Sequence, residues 1–453
     1  MMKISKPFFG AALVLSFAAC NGWSGASFPT SSAGGAQAIG GLDDLRQPAS
    51  GKIKHVVIII QENRSVDDLF TGFPGADTRS YGYDSKNHKI RLQPVPLEAG
   101  YDIDHSLKSF LQACNGSGSM PGTDCRMNGF DKEALMCLTC KPDAQYGYVP
   151  HSETKPYFAM GEQYVFADRM FTSHIDASSF TSHQYIIAGQ SSSSDDFPSS
   201  LWGCGGGSTD TVPTLTMRRR QGTPVRPCFN NRTLGDELDA AGISWGYFTS
   251  ALDANGQLWN AYQAIRHIRY GADWKRNVIS PQTKFFKAID DAELPAVSWV
   301  TPTCENSDHA DCDSNHGPEW VASLVNAVGT SKYWNSTAIF VFWDEYGGWY
   351  DHVPPKMVDY DGLGIRVPLL VISPYAKKGY VSHVQYEHGS LLRFVEDQFG
   401  LPRLAASDER AKSPEKDCFD FSRPPRPFQT IPAALGRHDF EREPLDLRPT
   451  DTE

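Results

Sequence analysis

Basic clusters, internal repeats and a membrane-length apolar run are all missing from this 453-residue sequence. The formal net charge at pH 7 is −11, and the lone run of three basic residues, Arg218 to Arg220, is predicted to lie on a solvated helix face. Proteins that bind nucleic acid non-specifically carry basic surfaces that neutralise phosphates. The composition therefore argues against a nucleic-acid partner, and the absence of repeats favours one large domain.

The amino terminus is typical of a secretory signal. A short basic segment, Met1 to Lys6, precedes the apolar run Pro7 to Ala19, which is too short to span a membrane. Residues 1–20 are therefore predicted to be a signal peptide, and residues 21–50, rich in Gly, Ser and Ala, a flexible linker. One globular domain is predicted over residues 51–404, followed by a Pro- and Arg-rich C-terminal extension over residues 405–453.

Cys20 leaves two routes of processing open. Residues 16–20 resemble a lipoprotein signal, in which Cys20 becomes the lipidated first residue and tethers the protein to a membrane. Ordinary cleavage near Ala18 and Ala19 would instead leave Cys20 as a plain thiol. Either route exports the protein, so it is expected in the periplasm, at the outer membrane or cell surface as a lipoprotein, or in the medium.

Ten cysteines in an exported chain predict disulfide bonds. Two local loops are expected, Cys204 with Cys228 and Cys304 with Cys312. Four further cysteines lie between residues 114 and 140, where three connectivities of two bridges are open. A Cys-x-x-Cys pair within this stretch could be a redox or zinc pair, although export favours a structural bridge. An odd number of cysteines remains outside the signal, so Cys418 is predicted to be unpaired.

Two apolar runs end in acidic or amide side chains. The run that starts at His55 leads into Glu62 and Asn63, and the run that starts at Thr337 leads into Asp344 and Glu345. Continuous apolar runs of this length are typical of parallel strands that helices cover on both faces. Ligands bind at the carboxyl ends of such strands, and hard oxygen donors suit Mg, Ca or Mn. The alternative to a metal site is that both runs are ordinary strands that end in polar turns.

Further strands and helices are predicted along the chain. The spacing indicates a helix from Thr233 that feeds a strand ending at Phe248, a strand over Val367 to Ile372 and a helix over Tyr386 to Phe399. Helical spacing also extends over Tyr157 to Phe171. These elements are consistent with a central sheet flanked by helices.

Four stretches of the sequence resemble a known family, and they occur in the same order as in that family, between about Lys52 and about Leu401. They are IKHVVIIIQENRSVDDLF, VSWVTPTCENSDH, TAIFVFWDEYGGWYDHVPP and RVPLLVISPYAKKGYVSH. They resemble the phosphoesterase family of bacterial and plant non-specific phospholipases C and related bacterial acid phosphatases. The resemblance implies an α/β fold of the alkaline-phosphatase-like kind, with a mostly parallel central sheet and helices on both faces. The strand pattern does not contradict this fold.

The resemblance also implies a metal site. One divalent cation, its identity open among Mg, Ca, Mn and Zn, would be held by five side chains: Glu62, Asn63, Ser179, Asp344 and Glu345. Ser179 stands at the position where the family has its nucleophilic Ser or Thr. The family's Pro-Asn-Arg or Pro-Asn-His triplet is replaced here by Thr181-Ser182-His183, so the local turn geometry and one substrate hydrogen bond are expected to differ from those of the family. Without the resemblance, Ser178 and Ser179 would be a Ser-rich helix cap.

Two histidines match the positions where the family contacts phosphate. His105 lies in an Asp-x-Asp-His setting and His309 in a Ser-Asp-His setting, after the predicted strand Pro295 to Val300. Histidine suits proton transfer near neutral pH. Without the resemblance, His105 would be taken as a surface or core residue. His316 is a weaker candidate, and His352 could brace the loop that carries the second acidic pair.

The implied activity is the hydrolysis of a phosphate ester, with a phospholipid or a small phosphate ester as substrate. A phospholipase C-type phosphodiesterase is favoured over an acid phosphatase that acts on monoesters. A non-catalytic surface lipoprotein is the alternative of another class, but both acidic pairs, the hydroxyl and the histidines argue against it. If Ser179 attacks phosphorus, Ser179→Ala should lower kcat strongly. Ser178→Ala should be nearly silent, because both hydroxyls are expected in a surface turn.

Overall fold

The two apolar runs become neighbouring strands at the centre of the computed structural model, which describes residues 51–137, 139–252, 257–312 and 314–449. His55–Gln61 and Thr337–Trp343 pair in parallel, with Gln61 beside Trp343. Every residue of the second strand is buried, as expected for a sheet covered on both faces. The predicted signal peptide and linker, residues 1–50, lie outside the described residues.

The described strands are β1 (His55–Gln61), β2 (Tyr81–Tyr83), β3 (Lys89–Arg91), β4 (Gln93–Pro94), β5 (Asp102–Ile103), β6 (Leu135–Met136), β7 (Gly147–Tyr148), β8 (Val165–Phe171), β9 (Trp245–Phe248), β10 (Val278–Ile279), β11 (Val297–Val300), β12 (Thr337–Trp343), β13 (Arg366–Ile372), β14 (Tyr380–Ser382) and β15 (Tyr386–Glu387). The described α-helices are α1 (Val66–Phe70), α2 (Leu107–Cys114), α3 (Lys155–Gln163), α4 (Ser179–Ala188), α5 (Leu234–Ala240), α6 (Arg266–Arg269), α7 (Asp273–Arg276), α8 (Lys284–Asp290), α9 (Gly317–Gly329), α10 (His388–Phe399), α11 (Ala406–Arg410), α12 (Glu415–Cys418) and α13 (Arg437–Phe440).

The central sheet has nine strands in the order β10-β9-β11-β1-β12-β13-β8-β14, and β15 also pairs with β8. Neighbouring strands are parallel except at β13, which is antiparallel to both β12 and β8. The carboxyl ends of β11, β1, β12 and β8 therefore meet at one edge of the sheet. The predicted mostly parallel α/β fold is confirmed.

Helices cover both faces of the sheet. Phe340 of β12 contacts Phe394 of α10, with ring centroids 4.9 Å apart. Trp343, an odd number of residues further along the strand, contacts Tyr157 of α3 at 4.9 Å and Phe70 of α1 at 6.3 Å. Side chains alternate between the faces of a strand, so these contacts lie on opposite sides.

The segment after Leu404 packs on the same body. α11 contacts α10 and α13 contacts α9, while Phe419 stacks on Phe394 at 5.2 Å. The described residues form one compact unit by their contacts. Within the described ranges, no helix combines the length and the apolar character needed to cross a bilayer.

Two local expectations are wrong. The helical spacing over Tyr157 to Phe171 is split between α3, which ends at Gln163, and the strand β8. Pairing of β8 with β13 on one side and with β14 and β15 on the other overrides the local pattern. Arg219 is not on a solvated helix face but is buried, and its guanidinium donates to the carbonyls of Tyr360, Asp359 and Gly362.

The disulfide expectations are confirmed. The two local loops are present as Cys204–Cys228 and Cys304–Cys312. The open connectivity is settled as Cys114–Cys125 and Cys137–Cys140. The Cys-x-x-Cys pair is therefore a bridge and not a zinc site, and Cys418 is a buried unpaired thiol.

Candidate metal and catalytic site

The acidic pairs at the ends of β1 and β12 lie side by side. The backbone N–H of Asp344 donates to the carbonyl of Gln61 at 2.9 Å, and the backbone N–H of Asn63 donates to Asp344 Oδ1 at 3.0 Å. Glu62, Asn63, Asp344 and Glu345 are all fully buried. The parallel register of the two strands thus brings four oxygen-bearing side chains to one point of the sheet edge.

Several buried oxygens at this point have no hydrogen-bond partner among the described residues. They are Asn63 Oδ1, Asp344 Oδ2, Glu345 Oε1 and Ser179 Oγ. Buried polar atoms in native proteins are nearly always satisfied, and a buried carboxylate without a counter-charge is costly. Carboxylate, amide and hydroxyl oxygens are the donors that hard divalent cations prefer. The residues present therefore fit one divalent cation.

His183 joins this cluster from α4. Its Nε2 lies 3.1 Å from Glu62 Oε1 and 3.8 Å from Asp344 Oδ2. Burial lowers the pKa of His183 to about 4, although the charge of Asp344 opposes the change. The imidazole is therefore neutral at neutral pH, which suits it to donate to Glu62 or to ligate a metal. A nitrogen ligand is compatible with Zn or Mn as well as with a purely oxygen-bound cation.

Ser179 is the first residue of α4, one helical turn before His183. Side chains four residues apart lie on the same helix face, so Ser179 shares a face of α4 with His183, which contacts Glu62. The amino end of this ten-residue helix carries partial positive charge, which favours an anionic phosphoryl group beside it. The roles of Ser179 as metal ligand and nucleophile stay predictions.

The expectation that both serines lie in a surface turn is wrong. Ser178 and Ser179 are fully buried. Ser178 is the N-cap of α4: its Oγ accepts from the N–H of Thr181 at 3.3 Å and donates to Asp176 Oδ2 at 2.9 Å. Because Ser178 holds the helix start, its loss should affect stability.

His105 approaches the cluster from the other side. Its Nδ1 lies 2.6 Å from the carbonyl oxygen of Ile103, which fixes the proton on Nδ1 in the neutral ring. Its Nε2 lies 3.3 Å from Asn63 Nδ2 and 3.7 Å from Glu345 Oε1. Burial raises the pKa of Glu345 well above its usual range, and the charge of Asp344 adds to this effect against the opposing charge of His105.

His309 lies on the loop that follows β11, at the same sheet edge. Its neighbour Asp308 donates its backbone N–H to Gln61 Oε1 at 2.9 Å and accepts from Arg64 Nε at its carbonyl at 2.8 Å. The ring of His309 stacks on Trp259 with centroids 5.8 Å apart. The loop is thus tied to the end of β1, and the contact of His309 with a phosphate stays a prediction.

Backbone geometry around Asn63 is constrained. Asn63 has φ of +59°, in the left-handed region, where Asn is better tolerated than most residues. Gly347 has φ of +62°, and a Cβ atom there would lie 2.2 Å from the carbonyl oxygen of Asn63. Only glycine allows the loop after β12 to approach Asn63 this closely.

A second buried cluster lies nearby, formed by Asp67, Asp351 and His352. Here every charge has a partner. Arg366 donates to both oxygens of Asp351 at 2.9 and 3.0 Å, and His352 contacts Asp67 Oδ2 at 2.6 Å and Asp77 Oδ1 at 3.0 Å. The cluster ties the loop after β12 to α1, the bracing role considered for His352.

Sequence reasoning missed two histidines. His183 was noted only as a departure from the family triplet, although its spacing of four residues from Ser179 was the available signal. His388, the first residue of α10, is also buried, with its ring 5.8 Å from Phe342 of β12. Burial, together with the charges of His174 and His183, lowers the pKa of His388 well below its usual range. No sequence pattern pointed to it.

Comparisons with known proteins identify relatives of this chain. The model of the Phosphoesterase family matches residues 53–402. Non-specific phospholipase C3 of Arabidopsis thaliana is 25% identical over 427 residues, covering 82% of this chain and 76% of that protein. Non-hemolytic phospholipase C of Pseudomonas aeruginosa is 24% identical over 445 residues, covering 84% of this chain and 59% of that protein. A solved alkaline phosphatase superfamily protein from Vibrio parahaemolyticus is 12% identical, with a TM-score of 0.36 over 82% of this chain and 73% of that chain.

Proposed function

The chain belongs to the phosphoesterase family and is a phosphoric ester hydrolase, and on that premise we propose that it is a metal-dependent phospholipase C-type phosphodiesterase acting on phospholipids. The observation that carries the proposal is that buried oxygens of Asn63, Ser179, Asp344 and Glu345 have no hydrogen-bond partner among the described residues. The relatives named phospholipase C, at 24–25% identity, support the substrate class.

Glu62, Asn63, Ser179, Asp344 and Glu345 would hold one divalent cation, with His183 as a further donor or ligand. When bound, such a cation lowers the pKa of a coordinated hydroxyl and neutralises charge on the phosphoryl oxygens. Its binding would also offset the mutual repulsion of three buried carboxylates. The mixed oxygen and nitrogen donors leave Mg, Ca, Mn and Zn as candidates.

Ser179 would act as the nucleophile. Attack by its Oγ forms a serine–phosphorus ester and breaks the bond between phosphorus and the alcohol, which leaves as diacylglycerol. Water then hydrolyses the phosphoryl-serine and restores the hydroxyl. The amino end of α4 stabilises the negative charge of the phosphoryl group during both steps.

His105 and His309 would assist the phosphoryl group and the leaving alcohol. Because Nδ1 of His105 is engaged by the carbonyl of Ile103, only its Nε2 faces the cluster. A neutral ring therefore accepts at Nε2, and His105 donates to a phosphoryl oxygen only when it is doubly protonated. His309 is proposed to protonate the leaving oxygen.

The protein is proposed to act outside the cytoplasm. Four disulfides in the described residues support export, since such bonds persist in oxidising compartments. Processing at Cys20 with lipidation would tether the enzyme to a membrane, close to phospholipid. Mass spectrometry of the mature amino terminus tests this part: an acylated Cys20 supports the tether, and a terminus beyond Cys20 contradicts it.

A substrate comparison tests the function. Purified enzyme is assayed on phosphatidylcholine vesicles, p-nitrophenylphosphorylcholine and p-nitrophenyl phosphate, with and without prior chelation of metal. The proposal predicts release of diacylglycerol, preference for the diester and loss of activity on chelation. Hydrolysis of the monoester alone would indicate an acid phosphatase, and no hydrolysis of any ester would indicate a non-catalytic protein.

A further inference from the structure

A hydroxyl, an imidazole and a carboxylate form a buried hydrogen-bonded chain at the start of α4. Nδ1 of His174 lies 2.5 Å from Asp176 Oδ1, and Nε2 of the same ring lies 2.8 Å from Ser182 Oγ. All three side chains are at most 2% exposed. The order Ser-His-Asp is that of a hydrolytic triad, yet none of the three residues is a proposed metal ligand or catalytic residue.

Asp176 is the centre of a wider set of hydrogen bonds. Its Oδ2 accepts from Ser178 Oγ at 2.9 Å, from Thr181 Oγ1 at 3.0 Å and from the backbone N–H of Asp196 at 2.5 Å. Because these partners are all donors, the carboxylate acts as an acceptor, and Nδ1 of His174 carries a proton. The network is therefore complete as protein, unlike the oxygens of the candidate metal site.

These bonds hold one side of the first turns of α4. Ser178, Thr181 and Ser182 are spaced by three and four residues, so their side chains lie together on that side of the helix. Ser179 and His183 are four residues apart and lie on a neighbouring side, where His183 contacts the carboxylate that follows β1. The network thus fixes the rotation of the helix at the residue that is the proposed nucleophile.

The same segment also supports His105. The backbone N–H of Ala177 donates to the carbonyl oxygen of His105 at 3.2 Å. Ala177 lies between Asp176 and the N-cap Ser178, so a displacement of Asp176 would reach His105 as well as the start of α4. Ser179 and His105, which come from distant parts of the chain, therefore share one support.

Ser182 and Ser179 differ in their surroundings. Ser182 Oγ contacts the His174 ring, whereas Ser179 Oγ has no hydrogen-bond partner among the described residues. Consecutive residues of a helix are about 100° apart around its axis. Ser182 is therefore turned away from the acidic cluster that the next residue, His183, contacts. This placement assigns support of the helix to Ser182 and leaves the hydroxyl of Ser179 available for chemistry.

We propose that Asp176 and His174 are positioning residues, which hold the first turns of α4 so that the hydroxyl of Ser179 faces the candidate metal site. The inference rests on the proposed function, because it takes Ser179 as the nucleophile. Misplacing a reacting group by about 1 Å lowers a rate by up to about a hundredfold. Contacts of the substrate with the metal site and with the rest of the enzyme are kept, so the loss should appear in kcat and hardly in KM.

Kinetics of the metal-loaded enzyme on p-nitrophenylphosphorylcholine test the inference. Asp176→Asn and His174→Gln should each lower kcat about tenfold or more and leave KM within about twofold, with the metal content of the wild type. Ser182→Ala, the smallest change, should lower kcat in the same way even if Asp176→Asn does not fold. Ser182→Thr keeps the hydroxyl and should restore most of the lost rate.

Tyr185→Phe is the matched control on the same helix. Tyr185 lies beyond the first turns of α4, and its hydroxyl donates to Asp361. The variant loses a buried hydrogen bond to a carboxylate, so it should lose stability while kcat stays at the wild-type level. A fall in kcat as large as in the variants of the network would show that any weakening of α4 impairs catalysis, which would overturn a specific positioning role.

Labelling with a fluorophosphonate separates positioning from nucleophilic catalysis by Ser182. Attack of a serine Oγ on phosphorus forms a serine–phosphorus ester and releases fluoride and the hydroxyl proton. Peptide mass spectrometry should find the label on Ser179 in the wild type, and on the same residue about tenfold or more slowly in Asp176→Asn. Label on Ser182 would overturn the inference and make Ser182, His174 and Asp176 a catalytic triad.

Failure of this inference is distinct from failure of the proposed function. If the wild type is active and labelled at Ser179 but kcat is unchanged in Asp176→Asn, His174→Gln and Ser182→Ala, the positioning role alone is wrong. If the wild type hydrolyses no ester, or hydrolyses one without labelling any serine, Ser179 as nucleophile is wrong and the positioning role is wrong with it.

Discussion

Two buried acidic clusters lie on either side of the β1–β12 edge, and they differ in how their charges are met. At Asp67, Asp351 and His352, Arg366 and the ring nitrogens of the histidine pair with every carboxylate. At the ends of β1 and β12, the ion pairs of Asp344 and Glu345 among the described residues are with the rings of His183 and His105, and Asp344 Oδ2 and Glu345 Oε1 have no hydrogen-bond partner there. The first arrangement is complete as protein, whereas the second has buried oxygens that a bound cation would satisfy.

The difference separates a structural cluster from a functional one where sequence composition does not. Each contains two acids and a histidine whose ligating atoms lie within 4.8 Å of one another, and the two groups are Glu62, Asp344 and His183, and Asp67, Asp351 and His352. Hydrogen-bond saturation is what distinguishes them, since native proteins leave buried groups unsatisfied mainly where a ligand or chemistry completes them. Mutations in the two clusters should therefore have opposite consequences: loss of activity and metal in one, and loss of stability in the other.

The largest effect is expected at the hydroxyl of the unsaturated cluster. Ser179→Ala should lower kcat about a thousandfold or more, because it removes the proposed nucleophile. The free energy of unfolding should hardly change, since the hydroxyl has no hydrogen-bond partner among the described residues. Steady-state kinetics and urea unfolding measure the two quantities. A phosphoryl-serine route also predicts retention of configuration at phosphorus with a chiral phosphorothioate substrate, and net inversion would contradict it.

Ser178→Ala is the matched control for this pair of serines. It should lower the unfolding free energy by about 1 kcal/mol or more, because Ser178 caps α4 and donates to Asp176. The loss of kcat in Ser178→Ala should be far smaller than the loss in Ser179→Ala. Equal loss of kcat in both variants would mean that the start of α4, and not the Ser179 hydroxyl, is what catalysis needs.

In the saturated cluster, Asp351→Asn should act on stability. It leaves the buried Arg366 without its bidentate partner, which costs about 3 kcal/mol or more in the free energy of unfolding. Asp344→Asn removes a buried charge whose Oδ2 has no hydrogen-bond partner among the described residues, so the metal-free protein should be as stable as the wild type or more so. Urea unfolding of both variants after chelation measures these effects. A larger loss of stability in Asp344→Asn than in Asp351→Asn would contradict the expected difference between the clusters.

Gly347→Ala probes how the loop after β12 supports the metal site. A methyl group would meet the Asn63 carbonyl and would also strain a residue at positive φ, at a cost of about 1 kcal/mol or more. Because Asn63 is a predicted ligand, metal affinity should fall about tenfold as well. Isothermal titration calorimetry measures it, and Gly436→Ala, where a Cβ meets open space, is the control.

The smallest effects concern pH. For His352, burial alone would lower the pKa, but the hydrogen bond and charge of Asp67 raise it above 6.5. Its stabilising contribution is therefore complete below about pH 6.5 and is lost as pH rises through the raised pKa. His183 has a lowered pKa of about 4, so it costs stability as pH falls from about 6.5 towards 4, because only the unfolded chain takes up the proton.

Histidine-to-glutamine variants of these two residues test the signs in metal-free protein. The free energy by which the wild type is more stable than His352→Gln should decrease as the pH rises from about 6 to about 8. This range spans the ordinary histidine pKa of about 6.5. On acidification over roughly pH 6.5 to 4.5, the free energy of unfolding of His183→Gln should rise relative to that of the wild type, because the variant lacks the histidine that takes up a proton only when the chain unfolds. If the free energies of unfolding of the two variants changed with pH in the same direction relative to the wild type, the predicted difference between the clusters would be wrong.

The sheet edge was predictable because its signals are local. Each apolar run predicts a strand, and the residue that follows it, Glu62 or Asp344, is predicted to lie at the end of that strand. The parallel pairing brings the two ends together. Ser179 and His105 came from family resemblance and not from their own surroundings. Their burial could not be read from the sequence, since it depends on how α4 and α2 pack.

Residues that depend on distant partners were missed or misread. Arg219 is surrounded by polar neighbours in the sequence, yet it is buried because carbonyls about 140 residues away accept its hydrogen bonds. Asp195 is likewise buried beside Asp176 and Asp361 only because of the fold, and among the described residues its Oδ1 has no hydrogen-bond partner. Such features follow from tertiary packing, which overrides local pattern.

Metal content measured on three proteins tests the central claim most directly. Wild type, Asp344→Asn and Asp351→Asn are stripped with chelator, dialysed against a mixture of Mg, Ca, Mn and Zn salts, and analysed by inductively coupled plasma mass spectrometry. One cation per chain is predicted in the wild type and in folded Asp351→Asn, and far less than one in Asp344→Asn. Equal metal in wild type and Asp344→Asn, or loss of metal only in Asp351→Asn, would contradict the assignment of the unsaturated cluster as the metal site.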